Sequence, residues 1–263
     1  SEFIEIYNPT TKPVSLDNKY ISDDNNYYKI VNGTYAVVNA TDFALKFPTG
    51  LMLLPGRTLV LCVTKQGFLG SGASPGAAQY FLEMKDSNGN PTDDMIIKTP
   101  NSTFAVTGGV LTNPGATTGE WVVLYCWDGQ SDRVCDIDYA SWGANNASNP
   151  KMDKTGISID GPDAGAVASA YNADTPAGTQ TNLGGGTALT KPNTYQRTGG
   201  EVGEVTLGGN GCIGLPVIDV IGWGPVVGAG GVPDVKFHIR WHNPDDDASS
   251  GPITGSIMSQ EFG

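Results

Sequence analysis

No stretch of a dozen residues in this chain carries apolar side chains at the i, i+3, i+4, i+7 spacing of a helix without a glycine or proline breaking it. A helix buries itself through that stripe, so the expectation of helix shrinks to a turn or two over residues 164–171. The chain offers short apolar runs instead, at 2–7, 27–31, 35–38, 44–47, 58–64, 79–84, 95–97, 121–127, 133–139 and 156–159, punctuated by Gly, Pro, Asn and Asp. Many short strands separated by turn residues predict an all-β fold, a sandwich or a barrel. Its 36 glycines and 17 prolines supply the turns. With 39% hydrophobic residues and only 16% charged, the chain groups with folded proteins, not disordered ones.

Fifteen Lys and Arg against 27 Asp and Glu leave a net charge of −12. A surface that acidic repels phosphate backbones, since nucleic-acid affinity comes from basic side chains displacing counterions, and nucleic acid is not expected as a partner. No apolar run nears the roughly 18 residues of a membrane-spanning helix. The longest, 51–54 and 59–63, are parted by Pro55, Gly56 and Arg57, so membrane insertion is not expected either. The sequence opens at Ser1 with no charged and apolar leader, which puts any secretion signal outside it or already removed. Sparse charge and abundant turns suit a secreted β protein.

Residues 66–78, 108–119 and 172–193 are small and Gly-rich, and they read as surface loops inserted in a strand framework. After Cys212 the character changes to an apolar run at 217–221, a Gly-rich link at 228–231 and a further run at 235–241. A boundary near residue 215 divides the chain into 1–214 and 215–263.

Cys62, Cys126, Cys135 and Cys212 make an even count. The runs at 121–127 and 133–139 flank Asp128-Gly129-Gln130-Ser131-Asp132, a turn-forming stretch. In a symmetric hairpin Cys126 and Cys135 stand opposite each other at a distance a disulfide spans. Two buried thiols are the other reading of that pair. Cys62 and Cys212 are then left for a second bridge. Zinc is disfavoured, because no C-x2-C spacing occurs.

Glu2-Phe3-Ile4-Glu5-Ile6-Tyr7-Asn8-Pro9, Leu54-Pro55-Gly56-Arg57-Thr58-Leu59-Val60-Leu61, Glu120-Trp121-Val122-Val123-Leu124, Asp136-Ile137-Asp138-Tyr139-Ala140-Ser141-Trp142-Gly143 and Lys154-Thr155-Gly156-Ile157-Ser158-Ile159 follow one another in this order. Together they resemble the lamin-tail domain in its bacterial, extracellular form. The resemblance covers about residues 2–160, and the opening run is its most specific part. It implies an immunoglobulin-like β-sandwich, here with long Gly-rich loop insertions, in an extracellular or cell-surface setting and with no catalytic residues to carry over. Ile4 and Ile6 are expected to face the core, Glu5 to face water, and Asn8 to close the turn with its side-chain amide.

The family normally begins with a strand before the one at 3–7, and here that strand is missing from its usual place. The run with Val217, Ile218, Val220 and Ile221 resembles it. Three arrangements are open to this late run. It belongs to a second, partial copy or simply adds to one sandwich; it returns within the molecule to pair beside Phe3, Ile4 and Ile6; or it fills the same place in the next molecule. In the last case an unpaired edge templates the added strand, and a head-to-tail contact that does not close makes a filament of copies of the chain.

Asp86, Asn88, Asn90 and Asp94 have the alternate oxygen donors that begin many Ca²⁺ loops. Pro91 stands where such a loop needs glycine and Ile97 where it needs glutamate, and a polar hairpin turn explains the stretch as well. Asp23-Asp24-Asn25-Asn26 and Asp245-Asp246-Asp247 read as solvated loops. His238 and His242 have the spacing of a zinc protease, but Ile239 occupies the general-base position, and in a strand the rings stand about 13 Å apart. No G-x-S-x-G elbow marks a nucleophile. Five Trp and ten Tyr suit protein contacts, stacking on surface glycans, or core packing, and Trp121 and Trp127 are assigned to the core. The sequence therefore points to a non-catalytic extracellular structural or adhesion protein. The other reading is a carbohydrate- or ligand-binding accessory module of a larger secreted enzyme.

Overall fold

In the computed structural model, which describes residues 2–33, 35, 42–62, 80–83, 96–97, 111, 119–143, 153–180, 194–196 and 219–225, most of the punctuated runs become strands. In chain order these are β1 (Glu2–Tyr7), β2 (Val14–Ser15), β3 (Lys19–Ser22), β4 (Ala44–Lys46), β5 (Met52–Leu53), β6 (Thr58–Cys62), β7 (Tyr80–Glu83), β8 (Ile96–Ile97), β9 (Gly119–Cys126), β10 (Cys135–Gly143), β11 (Ser158–Ile159), β12 (Ser169–Ala170), β13 (Tyr195–Gln196) and β14 (Asp219–Pro225). Helical structure among the described residues is confined to 3-10 turns at Tyr27–Asn32 and Ala177–Thr179. The described chain is all-β. No helix in it is long and apolar enough to cross a membrane.

Two expectations are corrected here. Residues 27–31, read as a strand, form the first 3-10 turn: Tyr27 N–H donates to Asp24 O and Lys29 N–H to Asn26 O. Gly33 closes the turn at φ 67, and Tyr27, Tyr28, Ile30 and Val31 are buried together without the alternation of a strand. Residues 164–171, read as a turn or two of helix, hold bends and β12.

The strands form two five-stranded sheets, ordered β13-β14-β1-β6-β7 and β10-β9-β3-β4-β8, and two small ladders, β11-β12 and β2-β5. Strand β9 explains how the sheets are covered. Trp121-Val122-Val123-Leu124-Tyr125 has no polar alternation, and every residue of it is buried. Successive side chains leave a strand on opposite faces. Val122 and Leu124 accordingly join Ile4, Ile6, Leu59, Leu61 and Trp142 in one apolar cluster that draws on both five-stranded sheets. Trp121, Val123 and Tyr125 join Tyr27, Tyr139 and Tyr171 in a second cluster. Each fully buried Leu, Ile or Val contributes about 1.5–3 kcal/mol relative to exposure.

Asn8 ends β1 as expected. Its side-chain amide donates to Lys12 O at 2.9 Å and Leu53 O at 2.8 Å, while its oxygen accepts from Thr10 N–H. The chain beyond β5 turns back against it: Gly56 N–H donates to Asn8 O, Asn8 N–H donates to Arg57 O, and Arg57 N–H closes on Leu54 O. Gly56 sits at φ 62, a conformation that favours glycine. Glu5 departs from expectation. With β14 on one side of β1 and β6 on the other, it is half-buried, and burial raises its carboxyl above the usual range.

Candidate functional site

Two places in the fold demand explanation, a ladder between the first strand and a late one and a sealed cluster of charges. The ladder joins β1 to β14. It runs antiparallel from Glu2 opposite Pro225 to Glu5 opposite Gly222, then resumes with Ile6 opposite Val220 and Tyr7 opposite Asp219. Ile221 is thus the extra residue of a bulge. On its other side β14 pairs with β13, Tyr195 opposite Trp223 and Gln196 opposite Gly222. Without β14 the N–H and C=O groups along one side of β1 would form an edge, the feature that templates strand addition. Of the strand-exchange candidates, Phe3, Ile4 and Ile6 lie in β1, and Val220 and Ile221 lie in β14. Val217 and Ile218 fall outside the described residues.

The charge cluster is assembled from four separate segments. Tyr27 comes from the 3-10 turn, Asp136 from the start of β10, Lys154 from the turn after β10 and Asp174 from the loop after β12. The Lys154 ammonium reaches Asp136 Oδ2 at 2.5 Å and Asp174 Oδ2 at 2.9 Å, and no part of these three side chains touches solvent. It also donates to the Tyr27 hydroxyl at 3.0 Å, and that hydroxyl donates to Asp136 Oδ1 at 2.5 Å. Asp174 Oδ2 accepts the backbone N–H of Lys154 as well. The rings of Tyr27 and Tyr171 lie with centroids 5.5 and 5.6 Å from Nζ. Tyr171 is itself held by its hydroxyl, which accepts Val134 N–H at 2.9 Å.

Removing such ions from water costs several kcal/mol each, and only close pairing and hydrogen bonds offset it. Burial raises the Asp136 carboxyl, although Lys154 and the Tyr27 hydroxyl pull it back. Burial alone would lower Lys154, but Asp136 and Asp174 outweigh it and the ammonium is held above its usual range. Both directions describe one cluster that retains its protons, because one cation faces two acids in a dry place. Burial, then the Asp136 charge, raises Tyr27 well above the ordinary phenol, which keeps it a hydroxyl donor.

Sequence reasoning missed this cluster. Lys154 follows Asp153 and precedes Thr155-Gly156, a pattern that reads as an exposed turn. The available signal was Asp136 and Asp138, two carboxylates in a largely apolar strand; both are buried. Asp23 and Asp24, read as part of a solvated loop, are also buried. Asp24 accepts the Tyr35 hydroxyl at 2.8 Å and Asp23 accepts Phe43 N–H at 2.6 Å. Burial, reinforced by Glu120 and Asp42, raises Asp23 well above the usual carboxylate range.

Cys126 and Cys135 stand directly opposite each other in the β9-β10 ladder. The hairpin is built by Asp128, which accepts Gln130 N–H, Ser131 N–H and the Ser131 hydroxyl. Cys126 and Cys135 are half-buried and Cys62 is buried, and Cys212 lies outside the described residues. Asp86, Asn88, Asn90, Asp94, His238 and His242 lie outside them too. Among the described residues Asp132, Asp160 and Asp163 bring carboxylate oxygens within 4.8 Å of one another. Asp132 already accepts Gly161 N–H at 2.9 Å and the Ser169 hydroxyl at 2.6 Å, which lower its carboxyl and tie the hairpin to the loop beside β12. Gly161 allows that approach, since a Cβ there would stand 2.7 Å from Ser131 O.

Set beside known protein families, curated proteins and solved structures, the chain matches none. The class it defines rests on its own geometry, a chain all-β in its described residues, with a sheet that joins the first strand to a late one and a sealed charge cluster against tyrosines.

Proposed function

We propose that this protein is a non-catalytic structural or adhesion module of an extracellular surface, an immunoglobulin-like β-sandwich of the lamin-tail kind. The β1-β14 ladder carries this reading. A strand drawn from residues 219–225 lies beside the first strand of the chain, and identical backbone hydrogen bonds form whether that strand serves its own sheet or a neighbour's. Given to a neighbour it joins copies head to tail, and such a contact repeats into a filament if it does not close. Residues 215–263 then act as the complementing segment of 1–214.

Supporting the sandwich is the apolar cluster shared by the two large sheets, the packing expected when each sheet buries one face. A structural role is supported by the exclusion of solvent from Lys154, Asp136 and Asp174, which leaves a substrate no approach to them. Tyr20, Tyr27, Tyr28, Tyr125, Tyr139, Tyr171 and Trp121 are committed to a core cluster, which favours structure over stacking on glycans.

Electron microscopy of the native, undenatured material tests the reading. Regular filaments with the strand from 217–221 beside β1 of a neighbour are the expected result. Monodisperse particles confine the ladder to one molecule and overturn the polymer.

A further inference from the structure

The sealed cluster contains more than a salt bridge needs: an amine against a carboxyl, a hydroxyl on the far oxygen of that carboxyl, and a second acid on the amine. We infer that Lys154 and Asp136 condense into an intramolecular amide bond, with Asp174 as the proton acceptor and relay and the Tyr27 hydroxyl as the donor that stabilises the developing oxyanion. Nζ stands 2.5 Å from Asp136 Oδ2, so the nucleophile is already held against the carboxyl group, and fixing reactants in this way replaces a bimolecular encounter. The Tyr27 hydroxyl sits on Oδ1, the oxygen that takes negative charge when the amine adds. Asp174 Oδ2, 2.9 Å from Nζ, is placed to accept the ammonium's proton.

The step balances with no other reactant. The ammonium of Lys154 passes one proton to Asp174, and the free amine adds to Cγ of protonated Asp136, forming the Nζ–Cγ bond and placing charge on Oδ1. A second amine proton moves to the Oδ2 hydroxyl, directly or by exchange through Asp174. The Cγ–Oδ2 bond breaks, Oδ1 returns to a carbonyl, and the oxygen leaves as water. One proton stays on the amide nitrogen and one on Asp174. The ordinary obstacle to amide formation is hydration of the charged reactants. Here that hydration has been removed by burial, and condensation replaces a desolvated ion pair, costly to maintain, by a neutral amide. The raised Asp136 carboxyl is consistent with the protonated form the step consumes.

Such a link joins the first residues of β10 to the turn beyond its end. It is independent of the filament reading, since both linked residues lie outside the β1-β14 ladder.

Intact-mass spectrometry of the full chain, folded and then denatured, reads the result directly. The expected mass is lighter than the sequence by one water, and a tryptic digest should yield one branched peptide joining the segments that contain Asp136 and Lys154, with no cleavage after Lys154. Lys154→Arg should return the sequence mass, and Asp174→Asn should leave most of the chain unlinked. Cyclisation at Asp128-Gly129 or Asp160-Gly161 also loses water, but it gives linear peptides and would overturn the proposal. A wild-type chain at the full sequence mass, cleaved normally after Lys154, would overturn it as well. Neither result depends on a variant folding.

Discussion

The two faces of β9 support two different kinds of interior. Val122 and Leu124 enter a cluster made entirely of apolar side chains, where stability follows volume and contact. Trp121, Val123 and Tyr125, their immediate neighbours in sequence, enter a cluster rich in tyrosine that borders Asp24, Asp136 and Lys154. Tyrosine suits that boundary because one end of the ring packs while the hydroxyl meets the buried charge. The apolar cluster holds the sheets together. Groups with chemistry of their own are kept in the aromatic one.

The contrast can be broken in order of expected effect. Lys154→Met strands two buried acids and should cost about 3–5 kcal/mol in urea unfolding at neutral pH. That cost should shrink in acid, where the acids bind protons; a pH-independent loss would mean the cluster is only packing. Leu124→Ala in the apolar cluster should cost about 2–5 kcal/mol, and here the loss should not change with pH. Tyr27→Phe keeps the ring and removes a hydroxyl bound to both Asp136 and Lys154, for an expected loss of about 1–3 kcal/mol.

The smallest effect has the opposite sign. Asp23 is raised above its ordinary value of 3.8 by burial, so its contribution is full below that value and is lost as pH rises through the raised one. Asp23→Asn keeps an oxygen for Phe43 N–H and should stabilise the protein at neutral pH, with Tm rising ~2–4 °C for each kcal/mol recovered. Below pH 3.8 variant and wild type should melt together. Equal melting at neutral pH would show that Asp23 is not held against its charge.

Strands were legible where turn chemistry framed them. Asn8-Pro9 ended β1, Pro55-Gly56 delivered β6, and Asp128-Gly129 set Cys126 opposite Cys135. The 3-10 turn at Tyr27–Asn32 was not, because Tyr-Tyr-Lys-Ile-Val has strand-like composition and only the contacts above it decide its shape. Strand β3 escaped notice since Lys19-Tyr20-Ile21-Ser22 is short and flanked by polar residues. The charge cluster could not be read at all. Tyr27 and Lys154, two of its four members, are 127 residues apart, and each member looks ordinary where it stands. Pairing beside Phe3, Ile4 and Ile6 was one of three arrangements open to the late run, and the structure pairs Asp219–Pro225 with β1.

One pair of cysteines tests the joining of β1 to β14 most directly. Glu5 and Gly222 are opposite each other in the ladder, within the Cα separation a disulfide spans, so Glu5→Cys with Gly222→Cys should oxidise readily and give a peptide linking positions 5 and 222. A linked species at monomer size places the ladder within one molecule, and a series of linked multimers places it between copies. If neither forms, and both new thiols survive oxidation in the folded protein, β14 does not pair with β1 and the account fails.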